Sequence, residues 1–206
     1  MNQPPGTAPH SNLKVVTIRR TTKLHRISLP DYPSPLFFNP NQSGRYNSPA
    51  GEYGVCYVAD SVDTAFSETL GHSVAARYAP SERKVIAEGD LEAYHVYQVE
   101  VKATLHLGKF YESGLPRLNL DGSINTSSKP YSIPQQWSLW VHNHPDVLDG
   151  IGYHSRHLTG TRCEALFERC ASKLMMQDLG PLIDWACPKT NKDIWDLLLD
   201  HGWVIA

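Results

Sequence analysis

Residues 55–71 read VCYVADSVDTAFSETLG, and this stretch decides how the middle of the chain folds. The apolar run VCYVA at 55–59 is rich in valine, which is typical of a buried strand. Asp60 or Ser61 can cap a following helix, and Gly71 can end it. The stretch therefore predicts a strand that leads directly into a helix.

Upstream lie a short strand pattern and a long turn-rich segment. Within residues 13–27, the β-branched residues Val15, Val16 and Ile18 indicate a strand. Residues 30–54, PDYPSPLFFNPNQSGRYNSPAGEYG, are dense in Pro, Gly, Asn and Ser, which favour turns. Long loops inside compact domains are uncommon unless they bind ligands or cover a site, so this segment is a candidate binding loop.

Downstream, apolar residues alternate over 93–107, AYHVYQVEVKATLHL, which indicates one half-buried strand or two. A helix that ends near Pro145 is indicated by residues that share one helical face: Trp137, Trp140, Val141 and His144. We interpret three tryptophans as core residues without a chemical role: Trp137, Trp140 and Trp195.

The last third of the chain is less regular. GIGYHSRH at 150–157 indicates a strand or extended segment, whereas CEALFERC at 163–170 fits either a strand or a helix. Thr190 and Asp193 offer a capping pattern for a final helix that Gly202 ends. Its inward face is predicted to hold Ile194, Leu197 and Leu198.

Composition indicates one folded domain. The chain has 206 residues, of which 41% are hydrophobic and 19% charged, as in ordinary globular proteins. Residues 1–12 contain three prolines and no apolar periodicity, so we expect a loose, flexible tail before a catalytic domain at 13–206. Short strands, a few helices and the absence of an internal repeat predict an α+β fold.

Charge and cysteine usage narrow the function classes. A formal net charge of -2 provides no basic field for nucleic acid, so we expect no direct nucleic-acid ligand. No apolar run approaches the roughly 20 residues that cross a bilayer, so no membrane association is expected. The four cysteines form no CxxC pair and no apolar leader is evident, which favours a cytoplasmic protein with free thiols.

Two motifs lack the context that would give them meaning. GIGYHS at 150–155 almost matches GxGxxG, but Ser155 replaces the third glycine and no strand leads directly into a helix there. A second group could suggest zinc but includes no cysteine pair: His142, His144, His154, His157 and Cys163. We therefore expect neither a Rossmann site nor a metal.

A third set of motifs is more specific, because its members occur together and in order. They are GRYN at 44–47, CYVA at 56–59, TAFSE at 64–68, GIGYHSRH at 150–157 and CEALF at 163–167. With these motifs the sequence resembles the RES family over about residues 24–170. The resemblance implies four catalytic residues, namely Arg45, Tyr57, Glu68 and Ser155. It also implies that substrate is bound by Arg26, Arg45, Tyr46, Tyr57 and Ser155.

The resemblance implies a fold and a function. The fold would be that of ADP-ribosyltransferases, a split antiparallel β-sheet with flanking helices and a central cleft for a dinucleotide. The protein would be a toxin that degrades NAD+ by hydrolysis or phosphorolysis. NAD+ would be its substrate, and no cofactor would be needed. Its partner would be an Xre-like antitoxin, and two copies of the toxin could form a homodimer within the toxin-antitoxin complex. Residues 121–137 and the chain after Cys170 are less similar to the family.

Elementary chemistry suits the same residues. Cleaving the nicotinamide bond builds positive charge on the ribose, which the Glu68 carboxylate can stabilise. Arg45 can bind phosphate oxygens, and Gly44 allows the backbone to approach them closely. Tyr57 can stack on nicotinamide. Ser155 can form a hydrogen bond with a ribose hydroxyl or with the carboxamide. Each residue also has an ordinary structural interpretation. Glu68 can be an exposed surface residue and Arg45 part of a surface ion pair in a loop. Tyr57 can be a core residue, and Ser155 can be hydrogen-bonded to the backbone. Transfer of ADP-ribose to a protein and a non-enzymatic binding module remain alternatives.

Overall fold

Strands and helices alternate through the parts of the chain that the computed structural model describes, which are residues 2–6, 10–30, 36–73 and 84–206. The strands are β1 (Val15–Ile18), β2 (Lys23–Ser28), β3 (Val55–Ala59), β4 (Lys84–Ile86), β5 (His95–Val101), β6 (Leu105–Phe110), β7 (Gly150–His154), β8 (Arg162–Phe167), β9 (Leu174–Pro181), β10 (Ala186–Cys187), β11 (Lys192–Asp193) and β12 (Trp203–Ile205). The α-helices are α1 (Val62–Ser73), α2 (Glu88–Ala93), α3 (Gly114–Arg117), α4 (Ser123–Thr126), α5 (Ser132–His142) and α6 (Ile194–Asp200).

Eight strands form the central sheet in the order β1-β6-β7-β8-β3-β2-β5-β9, antiparallel except at β6–β7. The sheet is split in its middle. β2 pairs with β5 at six positions and β3 with β8 at five, but β2 and β3 share only the pair His25–Ala59. Beyond that pair the two halves are free to separate, which opens a gap. The predicted α+β fold with a split, mainly antiparallel sheet is confirmed.

The strand and helix predicted within 55–71 are both present. Ser61 supplies the helix cap, because its Oγ accepts a hydrogen bond from the backbone N–H of Thr64 at 3.1 Å. Helix α1 continues two residues beyond Gly71, to Ser73. Thr69 on this helix donates to the carbonyl of Ile27 at 3.4 Å, which ties α1 to β2 across the split.

The alternation predicted for residues 93–107 is confirmed. Tyr97, Val99 and Val101 are all buried on β5, and the alternating segment forms two strands, β5 and β6. The predicted stripe is buried as well: Trp137, Trp140 and Val141 lie on α5, and His144 follows two residues after the helix ends. The ambiguous segment 163–170 is strand β8 as far as Phe167 and then a 3-10 helix.

The C-terminal helix corrects two predictions. Asp193, and not Thr190, caps α6, because its carboxylate accepts from the N–H groups of Trp195 and Asp196. Trp195 is 59% exposed, since the turn of a helix places it away from the buried face. That face holds Ile194, Leu197 and Leu198, as predicted.

The segment before β1 also differs from expectation. We expected residues 1–12 to be loose, but their described part, residues 2–6 and 10–12, contacts the domain. Asn2 is 7% exposed and bonds to residues of the 121–123 turn, and His10 stacks on Trp140 with ring centroids 4.4 Å apart. Polar side chains, which apolar periodicity does not detect, make these contacts. None of the helices among the described residues is long and apolar enough to cross a membrane.

Candidate functional site

A cleft of about 400 Å³ opens where β2 and β3 separate. Its floor comes from these two strands and its walls from α1, the loop 36–54 and the segments 129–131 and 153–163. The predicted binding loop, in its described part 36–54, therefore lies beside the cleft and forms neither a helix nor a named strand. Four of the predicted site residues line it: Arg26, Arg45, Tyr57 and Glu68.

The cleft is cationic although the chain is slightly acidic. Of the lining residues that the structure describes, four are basic, Arg26, Arg45, Lys129 and Arg156, and one is acidic, Glu68. Like charges gathered in a cleft with low-dielectric walls focus the electrostatic field and attract a ligand of opposite charge. The site therefore suits an anionic ligand that meets a carboxylate at one point.

Glu68 is positioned by Ser155. Ser155 Oγ donates to Glu68 Oε1 at 2.6 Å and accepts from the backbone N–H groups of His157 and Leu158 at 3.1 and 3.0 Å. One proton and two lone pairs are all that a hydroxyl has, so Ser155 is fully engaged. The serine was predicted to bond substrate, but it is buried and does not line the cleft. In this structure it bonds Glu68 and can orient that carboxylate, while its contact with substrate stays a prediction.

Arg45 is held from one side and open on another. Its Nη2 donates to the carbonyl of Ser127 at 3.0 Å, and its guanidinium carbon lies 5.0 Å from the ring centre of Tyr131. Its Nε is buried and has no hydrogen-bond partner among the described residues. Arg45 also lines the cleft, so guanidinium N–H groups that Ser127 does not use can serve a ligand there.

The Tyr57 hydroxyl organises the GRYN loop at 44–47. Tyr57 Oη donates to Asn47 Oδ1 at 2.8 Å and accepts from the backbone N–H of Tyr46 at 2.9 Å. Burial raises the pKa of this phenol, so it stays protonated. Its ring remains part of the cleft lining while its hydroxyl is engaged with protein.

Gly44 is required by this arrangement. A Cβ at Gly44 would lie 2.3 Å from Asn47 Oδ1 and 2.6 Å from Tyr57 Oη. The glycine was predicted to admit a phosphate, but in the structure it makes room for Asn47 and Tyr57. Asn47 itself was not among the predicted residues. It is buried, and its amide donates to the carbonyl of Asn41 at 2.6 Å.

Tyr46, which was predicted to bind substrate, is not among the residues that line the cleft, and its contact with substrate stays a prediction. It is fully buried, and its hydroxyl is hydrogen-bonded to Asn125. Helix α5 fixes its backbone, since Ser138 donates to the Tyr46 carbonyl at 2.6 Å and Gln135 to the Gly44 carbonyl at 3.0 Å. Sequence reasoning missed Gln135 and Ser138, because polar residues near an apolar stripe are not distinctive.

Arg26 lines the cleft from β2 and donates to Cys56 Sγ at 2.8 Å and to the carbonyl of Phe37 at 3.4 Å. Its neighbour His25 lies at the single pair that joins the halves of the sheet. Burial lowers the pKa of His25, so its imidazole is neutral at neutral pH. These two residues give β2 both a cation and a neutral polar ring in the cleft.

The first glycine of the GIGYHS motif occupies a structural position. A Cβ at Gly150 would lie 2.3 Å from the carbonyl oxygen of Ala165, so the close approach of β7 and β8 requires this glycine. Strand β7 leads into a turn and not into a helix. Within the described residues, no group of three histidine, cysteine or acidic side chains could hold a metal ion.

Comparison with known proteins identifies the family of the chain and proteins with a similar fold. The RES domain model matches residues 23–189. The "Probable toxin y4kH" of Sinorhizobium fredii (strain NBRC 101917 / NGR234) is 31% identical over 102 residues, which is 48% of this chain and 77% of that protein. The fold is similar to that of a chain in the crystal structure of the M. tuberculosis MbcT-MbcA toxin-antitoxin complex. The TM-score is 0.58 at 17% identity, covering 83% of this chain and 89% of the other. The protein belongs to the RES domain family.

Proposed function

We propose that this protein is the toxin of a toxin-antitoxin pair, and that it consumes NAD+ by cleaving the bond between nicotinamide and ribose. The position of Glu68 carries the proposal. It is the one acidic residue in the described lining of the cationic cleft, and Ser155 holds it at 2.6 Å. A ligand that suits both features is anionic at one end and becomes cationic at its reacting carbon.

NAD+ has this combination. Its pyrophosphate is anionic, and when the glycosidic bond breaks, the electron pair leaves with the nicotinamide ring. The ring becomes neutral and positive charge develops on the ribose. A fixed carboxylate beside that carbon stabilises the transition state more than the ground state. Glu68 supplies this charge, and Ser155 keeps the carboxylate from rotating away.

Other lining residues fit the rest of the molecule. Arg45 and Arg26 can hold the pyrophosphate, since a guanidinium fork matches phosphate oxygens. Tyr57 and Tyr131 offer aromatic rings to a base or to nicotinamide. A volume of about 400 Å³ lies within the usual range for sites that enclose a small ligand.

The relatives support the toxin assignment. One is named a probable toxin, and the similar fold comes from a toxin-antitoxin complex. We infer that a cognate antitoxin, Xre-like as the family resemblance implies, binds this chain and restrains it. The loop beside Arg45, in its described part 36–54, offers that partner an accessible edge of the cleft.

The test is incubation of purified protein with NAD+, with and without inorganic phosphate, followed by identification of the products. ADP-ribose as the product would indicate hydrolysis. Phosphorylated ADP-ribose would indicate phosphorolysis. A protein that carries ADP-ribose would indicate transfer to a protein acceptor. Glu68→Gln should abolish nicotinamide release, whereas Glu88→Gln, at an exposed glutamate of α2, should not. Intact NAD+ after incubation with the folded wild-type protein would overturn the proposal.

A further inference from the structure

The N-terminal segment, which lies outside the family-matched region, is tied to the turn at 121–123 and to helix α5, two elements that do not themselves line the cleft. Asn2 is 7% exposed, and its Nδ2 donates to Ser123 Oγ at 2.8 Å and to Asp121 Oδ1 at 3.2 Å. Its Oδ1 accepts from the backbone N–H of Asp121 at 2.9 Å. One asparagine side chain thus holds both ends of a single turn.

A second contact fixes the direction of this segment. The indole N–H of Trp137 on α5 donates to the carbonyl of Gln3 at 2.7 Å. Residues 2 and 3 therefore connect helix α5 with the turn at 121–123. Helix α5 in turn contacts the loop that carries Arg45, since Gln135 and Ser138 bond the backbone of that loop.

The turn that Asn2 holds leads directly to the partners of that loop. It begins α4, a helix of four residues, in which Asn125 bonds to the hydroxyl of Tyr46. Immediately after α4, the carbonyl of Ser127 accepts from Arg45 Nη2 at 3.0 Å. Because a helix of four residues has little stability of its own, its position depends on its contacts with neighbouring elements.

The inner side of this segment is anchored in the core, where Asn125 donates to the carbonyl of Phe110 at 2.8 Å in addition to its bond with Tyr46. Within residues 121–130, only Ile124 and Asn125 are buried, and both face the core. The outer side of the turn is held by Asn2. We expect that without it the Ser127 carbonyl would be held less firmly, and the Arg45 side chain would sample more rotamers before binding a ligand.

We propose that Asn2 is a positioning residue for substrate binding, which acts through the 121–127 segment on Arg45. The proposal rests on the proposed function in one respect, which is that Arg45 holds the anionic part of the substrate. It extends the functional site to a part of the chain that lies before the RES domain. Asn2 does not touch the ligand, so its effect falls on affinity and not on the chemical step.

A double-mutant cycle on ligand affinity tests this coupling. The probe is ADP-ribose, which keeps the pyrophosphate and lacks nicotinamide, with binding measured by calorimetry. Asn2→Ala should raise the Kd about three- to tenfold, as expected for the loss of one or two hydrogen bonds. In an Arg45→Ala background the same substitution should have no further effect. Gln3→Ala is the matched control, because that exposed side chain is replaced while its backbone carbonyl remains.

A second variant approaches the contact from the other side. Ser123→Ala removes the oxygen that accepts from Asn2 and should reproduce the loss of affinity. For both variants, KM for NAD+ should rise while kcat stays within about twofold, since Glu68 is untouched. Wild-type affinity in both variants, or an equal loss with and without Arg45, would overturn the proposal.

Hydrogen exchange separates this inference from the proposed function. Asn2→Ala should speed exchange of the amides of Ser127 and Tyr46, which are bonded within α4 and to Tyr57, respectively. Gln3→Ala should not. If the wild-type protein binds no ADP-ribose, the proposed function fails, and exchange alone decides whether Asn2 restrains the Arg45 loop. Unchanged exchange at both amides would refute that restraint.

Discussion

Ser155 Oγ lies 2.6 Å from Glu68 Oε1, and the serine is the donor in this hydrogen bond. The two residues are 87 positions apart, one on α1 and the other directly after β7. Because backbone N–H groups occupy the acceptor side of the serine, its proton is directed to the carboxylate. Glu68 therefore enters the cleft with one oxygen already fixed.

This contact predicts different effects for its two members. Glu68→Gln should lower kcat for NAD+ cleavage by about 10³-fold or more, because the counter-charge is lost. Ser155→Ala should lower kcat by roughly 10- to 100-fold with little change in KM, since the carboxylate keeps its charge but loses its orientation. Steady-state kinetics measure both. Ser155→Thr, which keeps a hydroxyl, should recover part of the rate, and wild-type kcat in Ser155→Ala would contradict the positioning role.

Gly44 should tolerate no side chain. Gly44→Ala places a Cβ 2.3 Å from Asn47 Oδ1, so the Tyr57–Asn47 hydrogen bond must break or the loop must move. We expect a loss of about 1–3 kcal/mol in the free energy of unfolding, measured by urea denaturation. Gly122→Ala is the matched control, because nothing lies within 4 Å of its Cβ position and its backbone is helical. Its effect should stay within about 0.5 kcal/mol, and equal losses for the two variants would refute the steric argument.

Glu164 predicts a pH dependence of stability. It is 2% exposed on β8, and burial raises its pKa to about 8, with the nearby Arg162 opposing the shift. Between its unfolded pKa near 4.5 and about 8, the unfolded chain loses this proton while the folded protein keeps it. The stability that the protonated Glu164 gives the folded protein is therefore complete below the pKa of the unfolded chain. It is lost as pH rises through the pKa of Glu164 in the folded protein.

Glu164→Gln should remove this dependence. Compared with the wild type, the variant should gain stability as pH rises from about 5 to about 9, by an amount on the order of a few kcal/mol. Unfolding in urea at several pH values gives the difference. Parallel stability curves for the two proteins over that range would show that Glu164 titrates normally.

The toxin assignment predicts the behaviour of a bacterial host. Expression of the wild-type chain without its antitoxin should lower cellular NAD+ and stop growth, because an unrestrained cleft consumes a shared metabolite. Glu68→Gln at the same expression level should do neither, and Glu88→Gln should behave as the wild type. Normal growth of a host that contains folded wild-type protein would count against a toxin, even if the cleft binds NAD+.

Local patterns in the sequence determined much of the fold. The strand and helix within 55–71, the alternation in β5 and the buried stripe of α5 were all predicted, because each pattern records which side of one element is buried. The family motifs pointed to Arg45 and Glu68, and both line one cleft. Whether these residues perform the proposed chemistry stays a prediction.

Only the tertiary structure decided how the site is supported. It directed Ser155 to Glu68, placed Tyr46 in the core and engaged the Tyr57 hydroxyl with Asn47. It also bonded Asn2, which we expected in a loose tail, to the turn at 121–123. The physical reason is that periodicity reports burial along one element. The partner of a polar side chain depends on ångström-scale distances between segments that lie far apart in the sequence.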